Sequence, residues 1–404
     1  MSIEGYLSHY AEAEVSLVST LTERWQYAVV VPCCDEFDGV PPLLASLERA
    51  ALSSAANAVV VLVVNGREDA AESVHETNAR LINQLGGAGL HSHSSRLDLL
   101  VIDRASPQLR LPSRQGVGLA RKIGCDVVTA LHQAGRLASR WIWTTDGDVE
   151  VPADYFTTVQ EHSESVAINL PFVHVELPSQ PRAAAAIRLY DLSLRYYVAG
   201  LKHAASPYAF HTIGSTMVVR IDAYAKVRGF PRRQAAEDFH LLSKLAKVGS
   251  VATGRGAPLR VQGRVSDRVP FGTGAAVSKL VAQEDPEASF LLYDPRCFDE
   301  LKLWLSAFEG YAMHRDELEW RNQIAATSGL SEQVREHAVS DLKILPAMQR
   351  AVSASASNSV VSRHLETWFD GLKTLRFIHL LRDQQWPKLP WREAITKAPF
   401  MDLE

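Results

Sequence analysis

Seven consecutive apolar residues, Ala58-Val-Val-Val-Leu-Val-Val64, run into the turn pair Asn65-Gly66. A β-branched run with no polar alternation predicts a strand buried on both faces. Such a strand needs a covering layer on each side. Between about residues 25 and 260, short β-branched runs alternate with helical stretches, the pattern of an α/β fold built on a largely parallel sheet. Tyr27–Val31, stopped at Pro32, reads as the first strand, and Leu97–Ile102, Trp141–Thr145 and Val166–Leu170 as later ones, with Thr216–Val219 extended. Helices are expected after Asp38 as N-cap, with Leu43, Leu44 and Leu47 on one face, then over Gln115–His132, Ala183–His203 and Ala235–Val248, the last stopped by Gly249.

Beyond about residue 285 the β-branched runs give way to amphipathic stretches such as Phe298–Ala312 and Glu332–Leu345, with the Ser/Ala-rich Ala351–Ser359 expected as a loop between helical parts. The expected organisation is an α/β domain over 1–285 and a helical C-terminal extension over 286–404.

Of the 404 residues, 47% are hydrophobic and 22% charged, which excludes disorder as the main state. Lys and Arg (42) nearly balance Asp and Glu (46), with no single-sign block, so nucleic acid is not an expected partner. No apolar run approaches the ~20 residues of a membrane span. The four cysteines lack both zinc spacing and scaffold density, so reduced thiols and a cytoplasmic protein are expected.

Asp146-Gly147-Asp148 follows the strand Trp141–Thr145. Open α/β sheets bind ligands at that edge, where two carboxylates around a small residue suit a divalent cation; a tight Asp-Gly turn is the other reading. Gly116-Val-Gly-Leu-Ala-Arg121-Lys122 departs from a dinucleotide fingerprint, whose third glycine would fall at Arg121. A glycine-led helix start could still hold phosphate through amides and the two cations, or the pair could form an exposed basic face. Glu237-Asp238 suits a helix start on dipole grounds alone. Arg260, Arg264 and Arg268, followed by Gly272 and Gly274, read either as a loop closing over an anion or as a solvated edge.

Taken in order, these segments resemble the family 2 glycosyltransferases. Val29-Val-Val-Pro-Cys-Cys-Asp-Glu36 is similar to that family's Val-Ile-Pro-x-x-Asn-Glu opening, and Gly118-Leu-Ala-Arg-Lys-Ile-Gly124 to its Gly-x-x-x-Ala-Arg-Asn-x-Gly helix. Asp146-Gly-Asp148 resembles its D-x-D; Ile213–Arg220, Gly229-Phe-Pro231 and Glu237-Asp238 resemble the stretch ending at its acceptor-side Glu-Asp pair. The resemblance covers about residues 26 to 274.

It implies a GT-A fold, a Rossmann-like mixed sheet flanked by helices that binds a nucleotide sugar, and transfer of one sugar from a UDP-sugar or GDP-sugar to an acceptor hydroxyl with Mg or Mn. Carried over by position, Pro32, Glu36 and Asn65 would lie near the nucleoside and Arg121 near the donor. Asp148 would be the main metal ligand, with Asp146 facing ribose or metal. Asp238, beside Glu237, would be the general base of an inverting transfer. Arg264 and Arg268 would order over the pyrophosphate. Asn65 stands where the family usually has a carboxylate. No Gln-x-x-Arg-Trp motif is present, which favours non-processive transfer. Retaining relatives of the glycosylglycerate-synthase type often place a late His on the metal, and His211 and His240 are the candidates. A sugar nucleotidyltransferase would need a Gly-rich basic loop where Cys33-Cys-Asp-Glu36 stands, and a non-catalytic scaffold would not need Asp146, Asp148 and Asp238. Self-association through the C-terminal helices is a further expectation.

Overall fold

A computed structural model describes residues 1–175, 181–263 and 273–401. They form two compact units, the first of Met1–Ile187 with Thr212–Val281 and the second of Arg188–His211 with Ala282–Glu404. The second unit thus takes in residues 188–211, which the sequence alone leaves in the first domain.

The first unit contains strands β1 (Tyr27–Cys33), β2 (Ala58–Asn65), β3 (Gly89–Ser92), β4 (Leu97–Arg104), β5 (Trp141–Thr144), β6 (Val149–Glu150), β7 (Ala167–Asn169), β8 (Phe172–Val175), β9 (Met217–Arg220), β10 (Val251–Thr253) and β11 (Leu259–Gln262). Its helices include α1 (Ile3–Tyr10), α2 (Val40–Ser53), α3 (Glu72–Gln84), α4 (Val117–Gln133), the start of α5 (Pro181–His203), α6 (Ile221–Lys226) and α7 (Glu237–Leu245).

Eight strands form one mixed sheet in the order β10-β7-β9-β5-β1-β2-β4-β3. β2 lies between β1 and β4, parallel to both, and all eight of its residues are buried. That is what an uninterrupted Val run requires: both faces are covered, so neither face needs polar side chains. The parallel block ends at β5; β9 runs antiparallel to β5 and β7, and β3 antiparallel to β4. A second sheet pairs β6, β11 and β8. Strands β3, β6, β8 and β10 are two to four residues long, too short to impose a readable period on the sequence.

Asp38 does not cap α2. The helix begins after Gly39 with no side-chain cap and a proline in its first turn, where the missing amide removes one of the groups a cap would serve. The face expected from the sequence is the buried one, with Leu43, Leu44 and Leu47 all at 3% exposure or less.

The N-terminal segment is fastened to α4 by a buried polar network. Asp126 accepts from Tyr6 at 2.5 Å, Tyr224 at 2.9 Å, the Lys122 ammonium at 2.7 Å and the Glu12 amide at 2.9 Å. Lys122 also donates to the Tyr10 carbonyl at 2.8 Å. Burial, reinforced by Asp126, keeps the Tyr6 hydroxyl protonated. The network is satisfied on every side, the condition under which buried charge is tolerated.

The second unit is helical, with Arg296–His314, Glu317–Thr327, Glu332–Asp341, Ile344–Ala354, Asn358–Trp368 and Gly371–Gln384 as its main elements. Trp304 and Trp320 meet edge to face at 5.9 Å in its core. The expected loop 351–359 is mostly helix, broken only between Ala354 and Asn358; alanines keep helix propensity high until the serines interrupt it. Among the described residues no cysteine pair forms a disulfide. Among the described residues no helix is long and apolar enough to cross a membrane.

Candidate active site

The carboxyl ends of β1, β2 and β5 supply the site's scaffold. After β5, the Thr145 amide donates to the Val30 carbonyl at 3.0 Å, and the chain turns through Asp146-Gly147-Asp148 into β6, with the Val149 amide donating to the Asp146 carbonyl at 3.3 Å. The turn packs against buried Glu36: a Cβ at Gly147 would sit 3.0 Å from the Glu36 Cγ, and one at Gly39 would sit 2.6 Å from the Gly147 carbonyl oxygen. Glycine at both positions lets the β1 and β5 ends approach this closely.

Arg121 organises the centre. Its side chain, 4% exposed, donates from Nη2 to Asp146 Oδ1 at 2.6 Å, from Nε to Glu237 Oε1 at 2.8 Å and from Nη1 to the Gly214 carbonyl at 3.0 Å. Three elements distant in sequence are therefore tied by one guanidinium: the β5 turn, the start of α7 and the segment before β9. A side chain at 214 would meet this guanidinium at 2.5 Å. Arg121 and Lys122 are both buried, so neither forms an exposed basic face. Nor is the start of α4 open to phosphate at Gly118, whose amide donates to the Arg233 carbonyl at 3.1 Å. The 231–233 segment lies so close that a Cβ at Gly118 would be 2.6 Å from the Pro231 carbonyl oxygen.

That segment leads into Ala236, which adopts a left-handed conformation (φ 59°), and then into Glu237-Asp238 at the start of α7. Glu237 is buried and Asp238 half-buried. The Asp238 carboxylate accepts from the Phe239 amide at 2.7 Å. Burial, and next the charge of Glu237, push its pKa up to about 7. A carboxyl held there changes protonation state near neutrality, which is what proton transfer demands.

Asn65 is buried at the end of β2, and its backbone carbonyl accepts from Asn78 Nδ2 at 3.0 Å; Asn78 Oδ1 in turn accepts from the Asp35 amide at 2.9 Å. Asn78, fully buried on α3, thus couples the ends of β1 and β2. It was not anticipated from the sequence, although His75, Asn78 and Leu81 fall on one buried helical face at spacing three and a polar residue on such a face signals a specific partner. Pro32 lies within β1 and is buried.

Asp148 is half-buried beside Gly147. Among the described residues no group of three or more His, Cys, Asp or Glu side chains could hold a metal ion. With Asp146 engaged by Arg121, a cation at this turn would take Asp148 from the protein and its remaining oxygens from a ligand or water. His240 lies on α7, stacked edge-on with Phe239 at 5.5 Å. His211 belongs to the second unit, where burial, then Arg195, bring its pKa down to about 4. Arg264 and Arg268, with the loop expected around them, lie outside the described residues.

No protein-family model and no curated protein sequence matches the chain. Solved structures do. Residues 1–349 of TarS from S. aureus, crystallised with UDP-GlcNAc, align over 85% of this chain and 91% of that one at 14% identity and a TM-score of 0.40. Glucosyl-3-phosphoglycerate synthase from Mycobacterium tuberculosis, in complex with Mn2+, UDP and phosphoglyceric acid, aligns over 61% of this chain and 74% of that one at 13% identity and a TM-score of 0.33. The same enzyme with Mn2+ and UDP-glucose gives 14% identity, 61% and 77% coverage and a TM-score of 0.31.

Proposed function

We propose that this chain is a glycosyltransferase that moves one sugar from a nucleotide-diphosphate-sugar donor to an acceptor hydroxyl, with inversion, without processivity and with a divalent cation, Mg or Mn. The observation that carries the proposal is Arg121 joining Asp146 of the β5 turn to Glu237 of the Glu-Asp pair. One buried cation thereby holds a donor-side carboxylate turn and an acceptor-side carboxylate in fixed relation.

In this reaction Asp238 accepts the proton of the acceptor hydroxyl as its oxygen attacks the anomeric carbon. The bond from that carbon to the diphosphate oxygen breaks, and the electron pair leaves with the nucleoside diphosphate. An Asp238 pKa of about 7 suits this role, since a base whose pKa lies near ambient pH is substantially ionised there yet still basic enough to take the proton. Asp148, half-buried at the turn after β5, would hold the cation, which when bound supplies positive charge to the leaving diphosphate. Asn65, Pro32 and Glu36 would flank the nucleoside. Arg121 holds Asp146 and Glu237 in fixed orientation, so its contribution is preorganisation.

A thermal-shift series of UDP- and GDP-sugars with and without Mn tests this directly. Binding to the native state raises the melting temperature with ligand concentration, so one nucleotide sugar should raise it, and more so with Mn. Slow cation-dependent release of nucleoside diphosphate from that donor should accompany the shift. The absence of both across the series would overturn the proposal, and retention of the donor's anomeric configuration in the product would replace the inverting role of Asp238 by a retaining one.

A further inference from the structure

The helical unit carries a cleft of about 520 Å3 between the helices Ile344–Ala354 and Asn358–Trp368, a volume suited to a small molecule. Ala354 and Val360, both exposed, give it an apolar surface, and half-buried Trp368 lines it as well. Arg350, Arg363 and His364 also line it, and no acidic side chain does. Several other arginines of the unit are paired with acids: Arg321 with Glu317 and Glu336, Arg376 with Asp341, Arg392 with Glu287. Arg350 and Arg363 have neither an ion pair nor a hydrogen bond among the described residues. Two arginines and a histidine around one cleft whose lining holds no acid make it attractive to negative charge.

We propose that this cleft binds a phosphorylated sugar. Arg350 and Arg363 offer planar forks of donors that match a phosphate's oxygens, and such charge-assisted bonds are the strong ones. Ala354, Val360 and the indole of Trp368 suit the apolar face of a pyranose ring, and the Thr367 hydroxyl, also at the cleft, can serve a sugar hydroxyl. No residue of the candidate active site takes part, so this inference and the proposed transfer stand or fall separately.

Titration calorimetry of the full chain with glucose 6-phosphate, glucose and inorganic phosphate tests it. Glucose 6-phosphate should bind, glucose should not, and inorganic phosphate should bind at least about tenfold more weakly, having nothing to place on the apolar surface. Arg350→Ala and Arg363→Ala should each weaken glucose 6-phosphate binding by about tenfold or more, the loss expected for a charge-assisted hydrogen bond. Both arginines are exposed, so neither change should alter the melting curve. Asp148→Asn should leave this affinity unchanged, which separates the cleft from the donor site. Absence of glucose 6-phosphate binding at millimolar concentration, or undiminished binding in the double arginine variant, overturns the site. Equal affinity for inorganic phosphate overturns its assignment to a sugar.

Discussion

Arg121 and Glu237 lie 116 residues apart in sequence and meet at 2.8 Å with both side chains at 5% exposure or less. The guanidinium cannot lose its proton at any ordinary pH. Removing it would leave Glu237 buried without its counter-ion, so Arg121→Ala should cost about 3–5 kcal/mol of stability, the range for breaking a buried pair from one side. Arg121→Lys should recover only part of this, because an ammonium cannot span Asp146, Glu237 and the Gly214 carbonyl at once. Denaturant unfolding of both variants is the measurement, with two equally stable variants as the contrary result.

Asp238 should make the rate depend on pH. With its pKa near 7, kcat/KM should rise as the carboxylate ionises through neutrality and level off about one pH unit above. Asp238→Asn should lower kcat by ~10²–10⁴-fold and abolish that rise.

The same group makes an opposite prediction for stability. Between the unfolded aspartate pKa of about 3.9 and the native value of about 7, the folded chain holds a proton that the unfolded chain has lost. Stability contributed by this group is therefore fully present below about pH 4 and falls as pH rises toward 7. Asp238→Asn, neutral throughout, should raise the melting temperature at pH 8 relative to the parent and leave it nearly unchanged at pH 4. A stabilisation of equal size at both pH values would remove ionisation as its cause.

Asp148→Asn should fold normally, since the side chain is only half-buried, and should lose most cation-dependent nucleotide release. Melting curves and a nucleotide-release assay with and without chelator check this. Parent-level release by the variant in chelator would assign the cation elsewhere.

The network beneath α1 should be costly to break. Asp126→Asn removes the carboxylate facing Lys122 at 2.7 Å and should lose about 3–5 kcal/mol; Tyr6→Phe, which removes one neutral donor, should lose about 1–2 kcal/mol. Urea unfolding distinguishes the two sizes, and equal losses would contradict the charge argument.

Much of the sheet was legible because burial on both faces leaves its mark directly on composition, as the Val-rich β2 does. The Asp146–Asp148 turn was legible for a related reason: it sits where a strand period ends. The role of Arg121 was not. Alone, Arg121-Lys122 near a helix start looks like a solvated basic pair, and only the return of the chain at Gly214 and Glu237 makes burial of the guanidinium affordable. Lys122 is similar, since its partner Asp126 is one helical turn away but Tyr6 and the Tyr10 carbonyl come from far upstream. Asn78 was missed because its partners, the Asp35 amide and Asn65 carbonyl, are backbone groups that no side-chain pattern announces. Local periodicity records what an element buries; it does not record which distant segment comes to meet it.

The unbroken apolar strand β2, harmless when sandwiched in the sheet, is a hazard whenever the sheet is open. Ala58–Val64 has high β-propensity, no charge and no proline, the profile of segments that stack with copies of themselves into cross-β assemblies. Its position between β1 and β4 means that it is shielded only after both neighbours have docked. Refolding yield should therefore fall steeply with protein concentration, and aggregates recovered from failed refolding should protect this stretch from hydrogen exchange.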